Sequence, residues 1–406
     1  MSPGYNNIRI GDYFYDLPDE KIAKYPLPER DSSKLLHWNG VEINDRVFRD
    51  LPGILSPGSL IVFNNTRVIR ARLIFRKESG ATIEIFCLEP LEPHDFAMNL
   101  SCTTGVVWKC LIGNLRRWKS GRLTATFDSE GVTRVFSAEK ISSEGGTFMI
   151  RFEWEGGQTS FGEVLEAIGH MPVPPYLGRE DEQIDVSSYQ TVYARVEGSV
   201  AAPTAGLHFT PSLLKSLTDR GFDTAELTLH VSAGTFRPVK SEKIIDHLMH
   251  REHFYVSQHI LRSLRGRKVI AVGTTTVRTL ESIYWLGVKC AEGIMSDGNS
   301  SSVSQWEPYT RESDLDMDTA VESLLDMMKN AGIETLEATT DIMIVPGYRF
   351  RVAKGMITNF HQPGSTLLLL VAAFTGSRWR EVYDHALTSG YRFLSYGDSM
   401  LLMRPE

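Results

Sequence analysis

The stretch VIAVGTTTVRTLESIYWLG, residues 269–287, carries the clearest sign of the architecture. Four apolar residues, Val269–Val272, are too few for a buried helix and suit a buried strand. Gly273 breaks the run, and Val277, Leu280 and Ile283 then recur at helical spacing. A buried strand feeding a helix through a glycine turn predicts a layered α/β architecture. The same style appears upstream. SLIVFNN reads as an apolar strand ending at Asn64-Asn65, and TPSLLKSLTDRG as a helix stopped by Gly221.

Between these blocks the pattern changes. In TFMIRFEW, Phe148, Ile150, Phe152 and Trp154 alternate with Thr147, Met149, Arg151 and Glu153, the period of a strand with one buried face. ATIEIFCL and GRLTATFD are similar short segments set off by Gly, Asp and Ser. The expected architecture is an α/β main domain, residues 1–72 and 159–406, carrying an inserted small antiparallel β-barrel domain, residues 73–158. Residues 19–23 predict one short helical turn. Residues 294–316 read as a long polar, Ser-rich loop at the surface, with Trp306 in it, and Asp318–Gly332 as an amphipathic helix burying Val321, Leu324, Leu325 and Met328.

Bulk properties narrow the function. The chain has 406 residues and a net charge of -7, so it is no polybasic nucleic-acid binder by composition, although a local basic patch is compatible with it. Its four cysteines contain no C-x-x-C pair, which implies neither a zinc site nor a disulfide framework and fits a reducing compartment. The N-terminal residues form no apolar signal region, and the longest apolar run, Leu367–Phe374, is too short to span a bilayer. A cytoplasmic protein with no membrane association is expected, with a monomer favoured. P-loop, dinucleotide, serine-hydrolase and HExxH signatures are absent.

Five segments gather chemically useful residues between Gly and Pro punctuation. GSVAAPTAGLHFT (198–210) and LTLHVSAGTF (227–236) place His208 and His230 in small-residue turns, where an imidazole can handle protons near neutrality. FNNTRVIRAR offers Arg67, Arg70 and Arg72 for anions. MPVPPYLGRE and SSYQTVYA offer Tyr176, Tyr189 and Tyr193 as stacking faces. HLMHREH would set His247 and His250 on one face of a helix, but a metal site needs further ligands and none is expected. TNFHQPGST sets Asn359, His361 and Ser365 at a helix N-terminus, where backbone donors favour an anionic group.

These motifs, with YDLPDEKIAKYPLPERDSSKLL, VGTTTVRTLES and YRFLSYGDSMLL, occur in an order that resembles the S-adenosylmethionine:tRNA ribosyltransferase-isomerase family of queuosine biosynthesis along nearly the whole chain. The resemblance implies an α/β domain with an inserted β-barrel. It also implies that S-adenosylmethionine donates a ribosyl group to the aminomethyl group of a 7-deazaguanine base at the wobble position of tRNA. The products would be epoxyqueuosine in tRNA, adenine and methionine. Such a site must recognise adenine, hold the methionine carboxylate and amine, remove a proton beside the sulfonium, and admit an exposed loop base. By residue type, His208 and His230 are the first candidates for proton transfer, with His250 and His361 second. Thr204, Thr235, Gly206 and Gly234 suit close ligand contact, and Arg67 and Arg278 suit an anion. Arg116, Arg117 and Lys119 join Arg67, Arg70 and Arg72 as expected tRNA contacts. The chain departs from the family pattern at Asn65, Ser232, Gln362 and Gly364, and residues 294–338 are longer than is typical. The alternative is a non-catalytic or retargeted paralogue that binds RNA or an adenosine ligand.

Overall fold

A computed structural model describes residues 4–129, 131–155, 157–231, 239, 241–298 and 301–404. Its centre is a ten-stranded sheet. Four neighbouring strands, Asp223–His230, Leu60–Asn64, Val269–Val272 and Ala353–Asn359, run parallel and form its middle. On one side follow Ser399–Met403, Lys34–Trp38 and Ile43–Val47; on the other, Glu252–Ser257, Thr335–Thr340 and Ser302–Val303.

Both faces of the central strands are apolar, so both are covered. Val62, Val269, Ala271 and Met356 pack with the helices Thr274–Ala291, Met317–Asn330 and Thr366–Thr375. Ile61, Phe63, Ile270, Val272 and Ile357 pack on the other face with Phe48, Phe209, Leu213 and Leu217. The helix Pro211–Asp219 forms where TPSLLKSL places it, with Thr210 accepting the Leu213 amide as N-cap. The amphipathic helix is Met317–Asn330 and buries Val321, Leu324, Leu325 and Met328. The turn expected at residues 19–23 is a single 3-10 turn, Asp19–Lys21.

A second, seven-stranded antiparallel sheet carries Gly169–His170, Arg72–Arg76, Thr82–Glu92, Gly105–Gly113, Thr147–Trp154, Val132–Glu144 and Leu123–Ser129, in that spatial order. Four strand spacings separate Phe75 from Phe136 along it, about 19 Å if the sheet were flat. Their ring centroids are 5.9 Å apart, so the sheet curls into a half-barrel. Phe136, Phe152, Trp154 and Phe161 fill its interior.

Residues 294–316 differ from the polar surface loop expected. Ser302–Val303 adds a short strand to the main sheet, and Val303 is buried. Trp306 stacks on Tyr5 at 5.2 Å. Gln305 accepts from the Met249 amide at 3.0 Å and donates to the His247 carbonyl at 2.6 Å. That bridge holds 247–249 outside any helix, so the shared helical face expected for His247 and His250 does not form.

Candidate active site

The parallel strands Val269–Val272 and Ala353–Asn359 end at the same rim, and a cleft of about 720 Å³ opens there. Ligand sites of open α/β sheets sit at such carboxyl ends. Gly273 makes the turn out of the first strand at φ 94°, ψ 148°, a backbone region open almost only to glycine. A Cβ there would meet nothing closer than 3.7 Å, so the conformation rather than space requires glycine. The 18-residue helix Thr274–Ala291 starts at once. Ser365 caps the helix Thr366–Thr375, accepting from the Leu368 amide at 3.2 Å. Thr274, Thr275 and Ser365 therefore bring two helix N-termini to one cleft. None of the described residues lining it is Asp, Glu, Lys or Arg. Among the described residues the cleft is lined by neutral dipoles, with the positive helix ends favouring a carboxylate.

A hydrogen-bond chain braces the floor. Thr204 Oγ1 donates to Asn359 Oδ1 at 2.8 Å, which turns the Asn359 amide nitrogen toward His208 Nε2 at 3.1 Å. Nε2 must then accept, so the proton sits on Nδ1, 2.8 Å from Ser33 Oγ. Both nitrogens of His208 are thus engaged, and burial pushes its pKa down to about 4. His208 fixes the orientation of Asn359 and does not line the cleft. His361 does, with Nε2 2.9 Å from Thr358 Oγ1 and its pKa lowered to about 3 by burial. Tyr176, also in the lining, shares a 2.5 Å hydrogen bond with Ser395, and burial raises its pKa to about 12. At neutral pH the cleft therefore holds a neutral imidazole and a neutral phenol.

The model of the queuosine biosynthesis protein family matches residues 10–402. This chain belongs to the queuosine biosynthesis protein family. It is 39% identical over 404 residues, 97% of both chains, to a protein of Syntrophomonas wolfei named S-adenosylmethionine:tRNA ribosyltransferase-isomerase. A protein of the same name from Desulfitobacterium hafniense is 39% identical over 405 residues, 98% of this chain and 100% of the other. The crystal structure of an S-adenosylmethionine tRNA ribosyltransferase from Thermotoga maritima is 29% identical, covers 97% of this chain and 100% of its own, and superposes with a TM-score of 0.45.

In this member of the queuosine biosynthesis family, five of the residues singled out by sequence converge on the cleft: Tyr176, Thr204, Asn359, His361 and Ser365. Others are occupied elsewhere. His230 lies in a stack with Phe96 at 4.1 Å, and burial lowers its pKa to about 4. Gly206 packs under Tyr193, whose hydroxyl would lie 1.9 Å from a Cβ there. Arg278 is buried in an ion pair with Glu252, and its Nε donates to the Ile342 carbonyl at 3.1 Å. Arg67 faces Glu197 at 3.8 Å. Arg70 pairs with Glu166 at 3.3 Å, and Arg72 with Glu180 at 2.7 Å and with Glu84. Arg70 and Arg72 are thus held by carboxylates, whereas Arg67 is half exposed and only loosely paired. Tyr189 and Tyr193 are buried and offer no open stacking face. His250 lines a separate surface cleft with His94 and His253. Among the described residues no group of three His, Cys, Asp or Glu side chains could hold a metal. Ser232, Gly234 and Thr235 lie outside the described residues. Sequence reasoning missed Thr275, Gln362 and Ser395 as lining residues. The one signal for Thr275 was its place just after a glycine that ends an apolar strand.

Proposed function

We propose that this chain transfers and isomerises the ribosyl group of S-adenosylmethionine onto the 7-aminomethyl-7-deazaguanine base of tRNA, leaving epoxyqueuosine in the tRNA and releasing adenine and methionine. The observation that carries this is the full-length likeness, at 39% identity, to relatives named for that transfer. The cleft suits the donor. Helix N-termini at Thr274 and Ser365 offer backbone donors to the methionine carboxylate. Among the described residues the cleft carries no cationic side chain that would repel a sulfonium. Tyr176 and Thr204 offer hydroxyls to the adenosine, and His208 acts at one remove by fixing Asn359. His361, neutral at pH 7 and in the cleft wall, is assigned as the group that accepts the proton from the carbon beside the sulfonium. Being unprotonated at pH 7, it is able to accept a proton there. The co-substrates are S-adenosylmethionine and tRNA, and no metal takes part, so chelation should leave turnover intact. The protein acts in the cytoplasm as a monomer, with residues 73–158 as a domain inserted between residues 1–72 and 159–406.

The test is stoichiometry. Incubation with S-adenosylmethionine and tRNA bearing the aminomethyl base should yield adenine, methionine and epoxyqueuosine in equal amounts. Binding of both substrates with the donor left intact would overturn the reading in favour of a non-catalytic binder.

A further inference from the structure

The strands that end at the cleft begin at the opposite rim of the sheet. A groove of about 1490 Å³ opens there, lined by six cationic side chains, Arg267, Lys268, Arg349, Arg351, Lys354 and Arg404, and by two carboxylates, Asp314 and Asp316. Such a concentration stands out in a chain of net charge -7. Arg267 is spent on Asp223, at 2.7 Å. Arg351 instead lies over the Tyr284 ring at 5.2 Å, donates to the Ser313 carbonyl at 2.7 Å, and keeps its buried Nε without a partner among the described residues. Arg404 lies over Phe350 at 5.2 Å. Arg349 and Lys354 are exposed. Guanidinium groups held on aromatic faces rather than against carboxylates keep their charge available to a ligand.

The ligand class follows from shape and distance. The groove is open, and its cations are spread along the starts of two strands and the end of a third, where a single small anion would use few of them. The seven residues Ala353–Asn359 separate it from the cleft by about 20 Å. A molecule with repeated charges can reach both places at once, and a mononucleotide cannot. We propose that this groove is a second docking surface for tRNA, gripping phosphodiester backbone outside the anticodon stem-loop that presents the reacting base. The inference rests on the proposed tRNA reading.

The test is the Arg349→Glu/Lys354→Glu double variant, whose altered side chains are exposed and lie outside the cleft. Binding of full-length tRNA, followed by fluorescence anisotropy over a range of salt, should weaken by roughly tenfold or more. The slope of log affinity against log salt should fall by about 0.7–0.9 for each phosphate that is no longer neutralised. Affinity for S-adenosylmethionine and for a minimal anticodon stem-loop should not change. Unchanged tRNA affinity and slope in the variant, with the wild type binding tRNA normally, would overturn the groove alone. An equal loss with the minimal stem-loop would also overturn it, because the groove would then hold that arm rather than backbone beyond it. A wild type that binds no tRNA would overturn the tRNA reading and the groove with it.

Discussion

Replacing Arg278 by Met separates a structural arginine from a ligand-holding one. The Arg278 and Glu252 side chains are 4% and 1% exposed, and they face each other in an ion pair deep in the main core. Removing one member of such a pair strands the other charge and costs about 3–5 kcal/mol. Removing both, as in Arg278→Met/Glu252→Leu, leaves only the Ile342 carbonyl without its donor, worth about 1 kcal/mol. The double variant should therefore be more stable than the single one by about 2–4 kcal/mol. The deficit of the single variant also depends on pH. Burial raises the Glu252 pKa and Arg278 opposes the rise, so loss of Arg278 lets it climb further. The folded state then keeps a proton that the unfolded chain releases above about pH 4.3, and stability falls as pH rises from there by up to about 1.4 kcal/mol per unit. Urea unfolding of the three proteins at mildly acidic and mildly alkaline pH, read by tryptophan fluorescence, measures both effects. A single variant as stable as the wild type but unable to bind S-adenosylmethionine would refute the structural assignment and return Arg278 to the site.

His361→Ala should lower ribosyl transfer by about 10²- to 10⁴-fold, the usual worth of a proton-transfer group, with little change in melting temperature; near wild-type turnover would remove it from the mechanism. His208, His230 and His361 are neutral in the fold, with pKa values lowered to about 4, 4 and 3. The unfolded chain takes up their protons first, so stability should fall as pH drops from about 6.5 towards 4, and melting scans of a His361→Asn variant should show a shallower fall. Exchanging residues 297–305 for a short Gly-Ser linker should destabilise the protein by about 3 kcal/mol or more, since it exposes the pocket of Val303 and deletes the Gln305 bridge. An unchanged melting temperature would restore the view of this segment as a dispensable surface loop.

Much of the fold was legible because its elements follow strong local periods. The buried strand at 269–272, the alternating strand at 147–154 and the helix after Asp316 each announce themselves within a few residues. The small barrel-like sheet was legible from strand spacing, although its curl depends on packing between Phe75 and Phe136, which no local pattern encodes. Thr204, Asn359, His361 and Ser365, which the sequence offers for a site, line the cleft because they stand in turns at element ends, where side chains meet solvent or ligand. Arg278 and His230, which the sequence pattern also offers for the site, do not line the cleft, and a buried polar residue looks the same in sequence as one that meets a ligand. What separates them is a partner far along the chain: Glu252 for Arg278, Phe96 for His230. The polar stretch at 294–316 misled for a related reason. Gln305 satisfies backbone groups of residues 247–249, and composition does not reveal such a bond.

We propose that the cleft between the ends of Val269–Val272 and Ala353–Asn359 receives S-adenosylmethionine, and a crystal structure of the protein with that molecule bound is the test. The ligand should lie in the cleft, its carboxylate about 3 Å from backbone amides at the start of the Thr274–Ala291 or Thr366–Thr375 helix, and its sulfonium facing the wall that holds His361. A ligand seated elsewhere, in the basic groove or between the two sheets, with the cleft empty, would contradict it.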